Sequence, residues 1–236
     1  MTNSNKHIVI TGASSGIGYS TALSLAKQGH TIYALARNKD KLCKLVEDSK
    51  NLSGTIKAVP FDLSMFNNKS LEDLFKEVPL VDILINNAGL LLNKNFLEIE
   101  EQEILEVLQV NYISVIKSIQ FFHGRLKKSK IPHIVNISSV GGVTGSVKFP
   151  GLSIYSSSKG ALSILSECLA KDFEEDHIAV NCLALGAVNT EMLNKAFPDY
   201  EAQISPFQMG EYVSNFAING HKVINGVTQV VSLSNP

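Results

Sequence analysis

Short apolar runs rich in β-branched residues alternate with longer stretches of helical period along almost the whole chain. The strand candidates are His7–Thr11, Thr31–Ala36, Thr55–Pro60, Val81–Asn86, His133–Ser138, Ala179–Ala184 and Gly226–Ser232. Between them fall helix candidates at Ile17–Gln28, Lys39–Ser49, Leu71–Val78, Glu101–Leu126, Ser153–Glu175 and Phe207–Asn219. Gly29 is placed to end the first helix, Ser70 to cap the third with Asp73 in the capping-box position, and Ser205–Pro206 to open the last. The strands carry no regular polar face, so both of their faces must be covered. Strict alternation with doubly buried strands implies a parallel sheet sandwiched between helices. No linker, repeat or low-complexity stretch divides the 236 residues, and one domain spanning 1–236 is expected.

Composition narrows the function. The formal net charge is −1 and the pI about 6.6, which favours neither nucleic acid nor an anionic membrane as partner. The run Lys127, Lys128, Lys130 reads as a solvated helix end. Cys43, Cys168 and Cys182 fit no disulfide or metal spacing and suggest reduced thiols and a cytoplasmic location. The six histidines are scattered, so no metal site is expected. No apolar run reaches membrane-spanning length, and no signal-peptide core is expected at the N-terminus.

Directly after Ile8, Val9 and Ile10 comes T-G-A-S-S-G-I-G, Thr11 to Gly18. Gly12 can take the positive φ of a sharp strand-to-helix turn, Gly16 lets a phosphate approach the backbone, and Gly18 lets the helix pack on the sheet. The helix N-terminus that follows offers free N–H groups to an anion, with Ser14, Ser15 and Ile17 beside it. Taken alone, the G-x3-G-x-G spacing also fits a plain tight βα turn. The end of the second strand adds direction. Folds that bind NAD place a carboxylate there for the ribose 2′-OH. This chain has Ala36-Arg37, and no carboxylate before Asp40. Arginine is rare here, two against nineteen lysines. A guanidinium pairs with a 2′-phosphate, so NADP(H) is the expected cofactor, although Arg37 could also be an ordinary surface loop residue.

Tyr155 and Lys159 lie one helical turn apart on one face. A nearby ammonium is expected to lower the tyrosine pKa and make it a usable acid/base. Ser139 ends the fifth strand, where its hydroxyl can polarise a carbonyl; a serine satisfying strand-end backbone is the plainer alternative. Asn111 sits inside a long helix, where asparagine is a poor former. It is expected to bend that helix and hold a water near Lys159, unless it is simply an exposed helical residue. Asn86 to Gly89, N-N-A-G, ends the fourth strand beside the glycine turn. In a doubly wound sheet all these points share the carboxyl edge, where ligands bind.

In this order, TGASSGIG, Asp62-Leu63, NNAG, Asn111, Ser139 and Y-S-S-S-K closely resemble the short-chain dehydrogenase/reductase family, across nearly the whole chain. The resemblance implies an α/β fold: a single doubly wound Rossmann-type domain with a seven-stranded, mainly parallel sheet and helices on both faces. It also implies a tetrad. Tyr155 is the acid/base, Ser139 holds the carbonyl, Lys159 binds the nicotinamide ribose and tunes Tyr155, and Asn111 supports a proton-relay water. Asp62 and Leu63 would flank adenine. Asn86, Ala88 and Gly89 would lie on the ribose side, and Val188 and Thr190 at the carboxamide and phosphates. Three departures stand out. Leu185-Gly186 replaces the usual Pro-Gly, which predicts a less rigid turn. The interval from Ser139 to Tyr155 is long. The acidic-Gly-Gly ending of the last strand is missing.

Leu90, Leu91, Val140, Phe149, Leu152 and Phe197 are the expected pocket walls, and no arginine lies among these loops to clamp an anion. The short segment from Thr190 to Ser205 would make a small lid. The expected reaction is hydride transfer between nicotinamide and a small to medium, largely apolar carbonyl or alcohol. A 3-oxoacyl-[acyl-carrier-protein] reductase ranks lower, because Glu174, Glu175 and Asp176 would repel an acidic carrier. A non-catalytic NADP sensor or scaffold ranks below both, since it needs no Ser139 or Tyr155 chemistry. The two long helices carry apolar positions beyond what one sheet face covers, so a homodimer or homotetramer is expected.

Overall fold

The computed structural model describes residues 5–233; the first four and last three residues, on which the readings of the chain ends partly rest, lie outside the described residues. Seven strands form one sheet: β1 His7–Thr11, β2 Thr31–Ala36, β3 Thr55–Pro60, β4 Ile83–Asn86, β5 His133–Ser139, β6 Ala179–Leu185 and β7 Thr228–Val231. The order is β3-β2-β1-β4-β5-β6-β7, and each neighbouring pair is parallel. The helices are α1 Gly16–Lys27, α2 Lys39–Asp48, α3 Asn68–Phe75, α4 Glu101–Leu108, α5 Ser114–Leu126, α6 Ser153–Asp172, α7 Glu191–Ala196 and α8 Pro206–Asn219.

Alternation along each strand sends successive side chains to opposite faces. Ile8, Ile10, Ile83 and Ile85 pack with Leu25 of α1, Leu42 of α2 and Val213 of α8. Val9, Leu84 and Ile134 pack on the other face with Phe75 of α3, Phe122 of α5 and Leu162 of α6. Each fully buried large side chain of this kind contributes about 1.5–3 kcal/mol, which is why the strands read as unbroken apolar runs. The order reverses between β1 and β4, and that switch point opens the crevice at the carboxyl edge.

Several local expectations are corrected. The third helix is capped by Asn67, whose side chain accepts from the Ser70 amide at 3.1 Å; Ser70 already lies in the first turn. It ends at Phe75 rather than Val78, and β4 begins at Ile83 rather than Val81. The stretch Glu101–Leu126 is two α-helices separated by a π-helical turn, Gln109–Ile113, with Asn111 at its centre. α6 ends at Asp172, so Glu174, Glu175 and Asp176 fall in the turn leading into β6. The segment after Thr190 contains a short helix, α7, capped by the Thr190 side chain.

A histidine lies in the core at the amino edge. His133 is fully buried. Its Nδ1 is 2.9 Å from the Ala217 carbonyl, and its Nε2 is 3.1 Å from Asn181 Nδ2. Donation by Nδ1–H and acceptance at Nε2 suit a neutral ring. Burial pulls its pKa down to about 4, with the Ala217 contact opposing and nearby His221 adding to the fall. Above the ordinary imidazole value near ~6.5, folded and unfolded chains both hold the ring neutral. As the pH falls, the unfolded chain takes a proton that the folded chain refuses until about 4. Stability is therefore lost as the pH drops from ~6.5, by up to about 3 kcal/mol. Urea unfolding at pH 7 and pH 4.5 measures this loss. It should shrink in His133→Gln, and an identical pH slope in the two proteins would refute the assignment.

Candidate active site

A cleft of about 1250 Å³ opens along the carboxyl edge of the sheet. Along its floor lie Gly12, Ser14, Ser15, Gly16 and Ile17, the loop that turns from β1 into α1. Gly12 and Gly16 have φ of +68° and +57°. A Cβ on Gly12 would stand 2.7 Å from the Ala88 Cα, and one on Gly18 would stand 2.5 Å from the Gly12 carbonyl oxygen. Gly18 is buried against the turn and does not line the cleft. Ser15 is the N-cap of α1, yet its side chain makes no capping bond and the first turn holds no acidic residue. The first amides of α1 thus lack a side-chain partner at the cleft floor, which suits an anion.

The turn is stapled by Asn87. Its Nδ2 donates to the carbonyls of Thr11 (3.0 Å) and Gly12 (3.1 Å). The amides of Asn87 and Ala88 both donate to Thr11 Oγ1, each at 3.1 Å. Asn86 faces the other way. It is buried in the sheet, donates to Asn136 Oδ1 at 2.8 Å, and does not line the cleft. A one-residue step along a strand changes the face, so Asn87 is the asparagine of N-N-A-G that lines the cleft. Its only mark in the sequence is its place beyond the last paired residue of β4. Ala88 and Gly89 line the cleft as expected.

Arg37, Asp62 and Leu63 line the end of the cleft beyond β2 and β3. Asp62 Oδ1 accepts from the Ser64 amide (2.9 Å) and hydroxyl (2.7 Å), which fixes the short turn after β3. Val188 and Thr190 line the opposite wall, and a Cβ on Gly16 would come within 3.3 Å of Thr190 Cγ2. Leu185 is the buried last residue of β6, and the Gly186 amide donates to Val231 at 2.9 Å, tying the Leu185-Gly186 turn to β7.

Ser139, Tyr155 and Lys159 meet in the middle of the cleft. What lets them meet is a second close approach that the motif reading missed. After Ser139 the chain makes a short turn, Val140–Gly142, on which α6 rests. A Cβ on Gly142 would stand 2.6 Å from the Gly160 amide nitrogen. Two facing glycines thus bring the Tyr155–Lys159 face of α6 onto the end of β5. The V-G-G after Ser139 and the Gly160 after Lys159 are the sequence trace of this contact.

Burial raises the Tyr155 pKa, and a hydrogen bond with Ser139 pulls it partly back. The expectation that Lys159 lowers it is not met. The Lys159 Nζ donates to the Ile137 carbonyl at 2.7 Å, and its own burial brings its pKa down to about 8. Desolvation dominates both shifts, and neither side chain figures among the causes of the other's.

Asn111 is fully buried and does not line the cleft. Its Oδ1 accepts from the Leu90 amide at 2.7 Å. Its Nδ2 donates to the Leu90 carbonyl (2.9 Å) and to Ser158 Oγ (3.0 Å). Ser158 in turn donates to the Tyr155 carbonyl at 2.7 Å. The side-chain amide is thus spent on holding the loop after β4 against α6, which explains the π turn at this position. Gly89 lies beside both groups: a Cβ there would be 3.5 Å from Lys159 Nζ and 3.6 Å from Asn111 Oδ1.

The six expected wall residues, Leu90, Leu91, Val140, Phe149, Leu152 and Phe197, all line the cleft. The roof is laced across three segments. The Lys94 amide donates to the Gly151 carbonyl at 3.1 Å, and Asn93 Nδ2 donates to the Ala196 carbonyl at 2.8 Å. Glu174–Asp176 lie at the other end of the sheet, before the start of β6. There Asp176 bonds His123 (2.8 Å) and Lys127 (2.6 Å). The acidic run therefore has no bearing on docking at the cleft, and the argument from it against an acidic carrier falls away. No helix among the described residues is long and apolar enough to cross a membrane.

Comparison with known proteins adds three findings. A family model described as short chain dehydrogenase matches residues 6–201. The 3-oxoacyl-[acyl-carrier-protein] reductase of Thermotoga maritima is 31% identical over 194 residues, covering 80% of this chain and 77% of that protein. Among solved structures, the fold is shared with a 3-ketoacyl-(acyl-carrier-protein) reductase from Brucella melitensis complexed with NADH. The TM-score is 0.85 at 24% identity, over 96% of both chains. It is shared likewise with L-sorbose reductase from Gluconobacter frateurii complexed with NADPH and L-sorbose, with a TM-score of 0.85 at 22% identity, over 97% of this chain and 95% of that one.

Proposed function

The chain belongs to the short chain dehydrogenase family, and from that premise we propose that it is an NADP(H)-dependent oxidoreductase interconverting a small to medium, largely apolar carbonyl compound and its alcohol. One observation carries this reading: the open N-terminus of α1, Arg37 and the Ser139–Tyr155–Lys159 group all border one cleft. The cradle fits a dinucleotide, because a Cβ at Gly16 would project toward Thr190 across the space a pyrophosphate needs. Gly12, Ser14, Ser15, Gly16 and Ile17 would hold that group, with Arg37 on the 2′-phosphate, Asp62 and Leu63 at the adenine, and Asn87, Ala88 and Gly89 along the ribose side. Val188 and Thr190 would hold the carboxamide end. Bound there, the nicotinamide supplies or takes up the hydride.

The remaining chemistry belongs to the side chains. Ser139 donates a hydrogen bond to the carbonyl oxygen and polarises it. Tyr155 gives its phenolic proton to that oxygen as it becomes an alkoxide, and takes it back in the reverse direction. Lys159 anchors the ribose and keeps positive charge near the phenolate. Asn111 acts at one remove, fixing Leu90 and α6. The apolar walls exclude water and select an uncharged substrate.

The carrier-protein relatives favour a second reading, a 3-oxoacyl thioester reductase. We also infer a cytoplasmic homo-oligomer, supported by the three free cysteines and by Leu105 of α4 and Ile164 of α6, which stay exposed. Purified protein with NADPH should reduce members of a panel of apolar ketones and aldehydes and sediment above the 25.7 kDa of one chain. Turnover confined to 3-oxoacyl carrier-protein thioesters would select the second reading. Binding without turnover of either class would select a sensor.

A further inference from the structure

One ion pair spans the mouth of the cleft. Lys41 of α2 places its Nζ 2.7 Å from Glu191 Oε2, at the first residue of α7. The partners lie 150 positions apart, and both border the cleft with Arg37 and Asn38. Their side chains remain 43% and 76% exposed. An exposed pair of this kind adds little to stability, so holding the fold together does not account for it. Its position does. Lys41 is the third residue of α2, and its amide is capped by Asn38 Oδ1 at 2.8 Å. Arg37, Lys41 and the positive end of α2 thus crowd one corner, with Asp40 the only acidic residue in the first turn of α2. Glu191 reaches into that corner from the lid side.

We propose that Glu191 is a specificity-determining residue for the cofactor: it competes with the 2′-phosphate for the Lys41 ammonium, and so weakens the preference for NADP(H) over NAD(H). The proposal rests on the NADP(H) reading above. A phosphate monoester carries between about 1.5 and 2 negative charges at neutral pH, against one for a carboxylate. It can therefore draw Lys41 away from Glu191, at the cost of breaking the pair and of leaving the carboxylate nearby. NAD(H) presents no such competitor and leaves the pair intact. The cost thus falls on one cofactor alone. Any repulsion between Glu191 and the pyrophosphate acts on both cofactors and cancels in their ratio.

The test is the ratio of dissociation constants, NADH over NADPH, from fluorescence titration of the intact protein. Glu191→Gln should raise it about 3- to 5-fold. Lys41→Met should lower it, and Glu191→Gln in the Lys41→Met background should raise it by less than it does with Lys41 in place. A ratio unmoved by Glu191→Gln, or moved equally with and without Lys41, overturns the proposal. The underlying reading fails separately: a wild-type ratio below one that Arg37→Ala does not alter removes the 2′-phosphate site itself. Matching thermal midpoints for the variants exclude a folding effect.

Discussion

Tyr155→Phe should lower kcat by about a thousandfold and leave the affinity for NADPH nearly unchanged. The substitution removes one oxygen from a half-buried ring, so the packing of α6 on β5 persists. What disappears is the proton that a developing alkoxide must receive, along with the hydrogen bond to Ser139. Polarisation by Ser139 and alignment of the carbonyl remain, which is why some residual turnover is expected. Steady-state kinetics with the best carbonyl of the panel, paired with cofactor titration, separates the two effects. Retained turnover would mean that another group delivers the proton, and Tyr155 would lose its role.

Gly12→Val should abolish dinucleotide binding and cost about 4 kcal/mol of stability. Two independent penalties add at this position. The backbone sits at φ +68°, where a β-branched residue is strained, and a Cβ would meet the Ala88 Cα at 2.7 Å. Relief would require β1 and β4 to separate where Asn87 holds them together. The crevice would widen at its switch point and the α1 amides would lose their aim. Urea unfolding and cofactor titration measure the two losses. A variant that binds NADPH normally would show that the glycine turn is only a tight connection.

Much of the site could be read from the residues because a parallel sheet delivers the ends of all its strands to one edge. Gly12 and Arg37 each follow a strand and Ser139 ends one, so assigning strands also assigned neighbours. Asn111 was legible for a different reason. A poor helix former at the centre of a long amphipathic stretch marks an interruption, and a π turn is found there. The misplacement of Asn86 has the opposite lesson. Alternation tells that adjacent asparagines face opposite ways, but which of them faces the cleft depends on where β4 stops pairing with β1 and β5. The cap of α3 and the ends of β4 and α6 shifted by a few residues, because propensity falls off gradually where hydrogen bonding stops abruptly.

The acidic run at Glu174–Asp176 shows the same limit over a longer range. Its charge is plain in the sequence, but its distance from the cleft is a property of the fold. In place of a patch repelling a carrier, it ends in Asp176, which clasps His123 and Lys127.

By itself the sequence determined the order of elements, the burial of both sheet faces and the edge at which the candidate site residues gather. These follow from periodicities that act within a few residues of each other. Only the tertiary structure decided that Asn87 rather than Asn86 staples the glycine turn, that Gly142 and Gly160 let α6 approach Ser139, and that Lys41 meets Glu191. It alone set the direction of the Tyr155 and Lys159 shifts, because desolvation sums over every group packed around a side chain, wherever in the chain those groups come from.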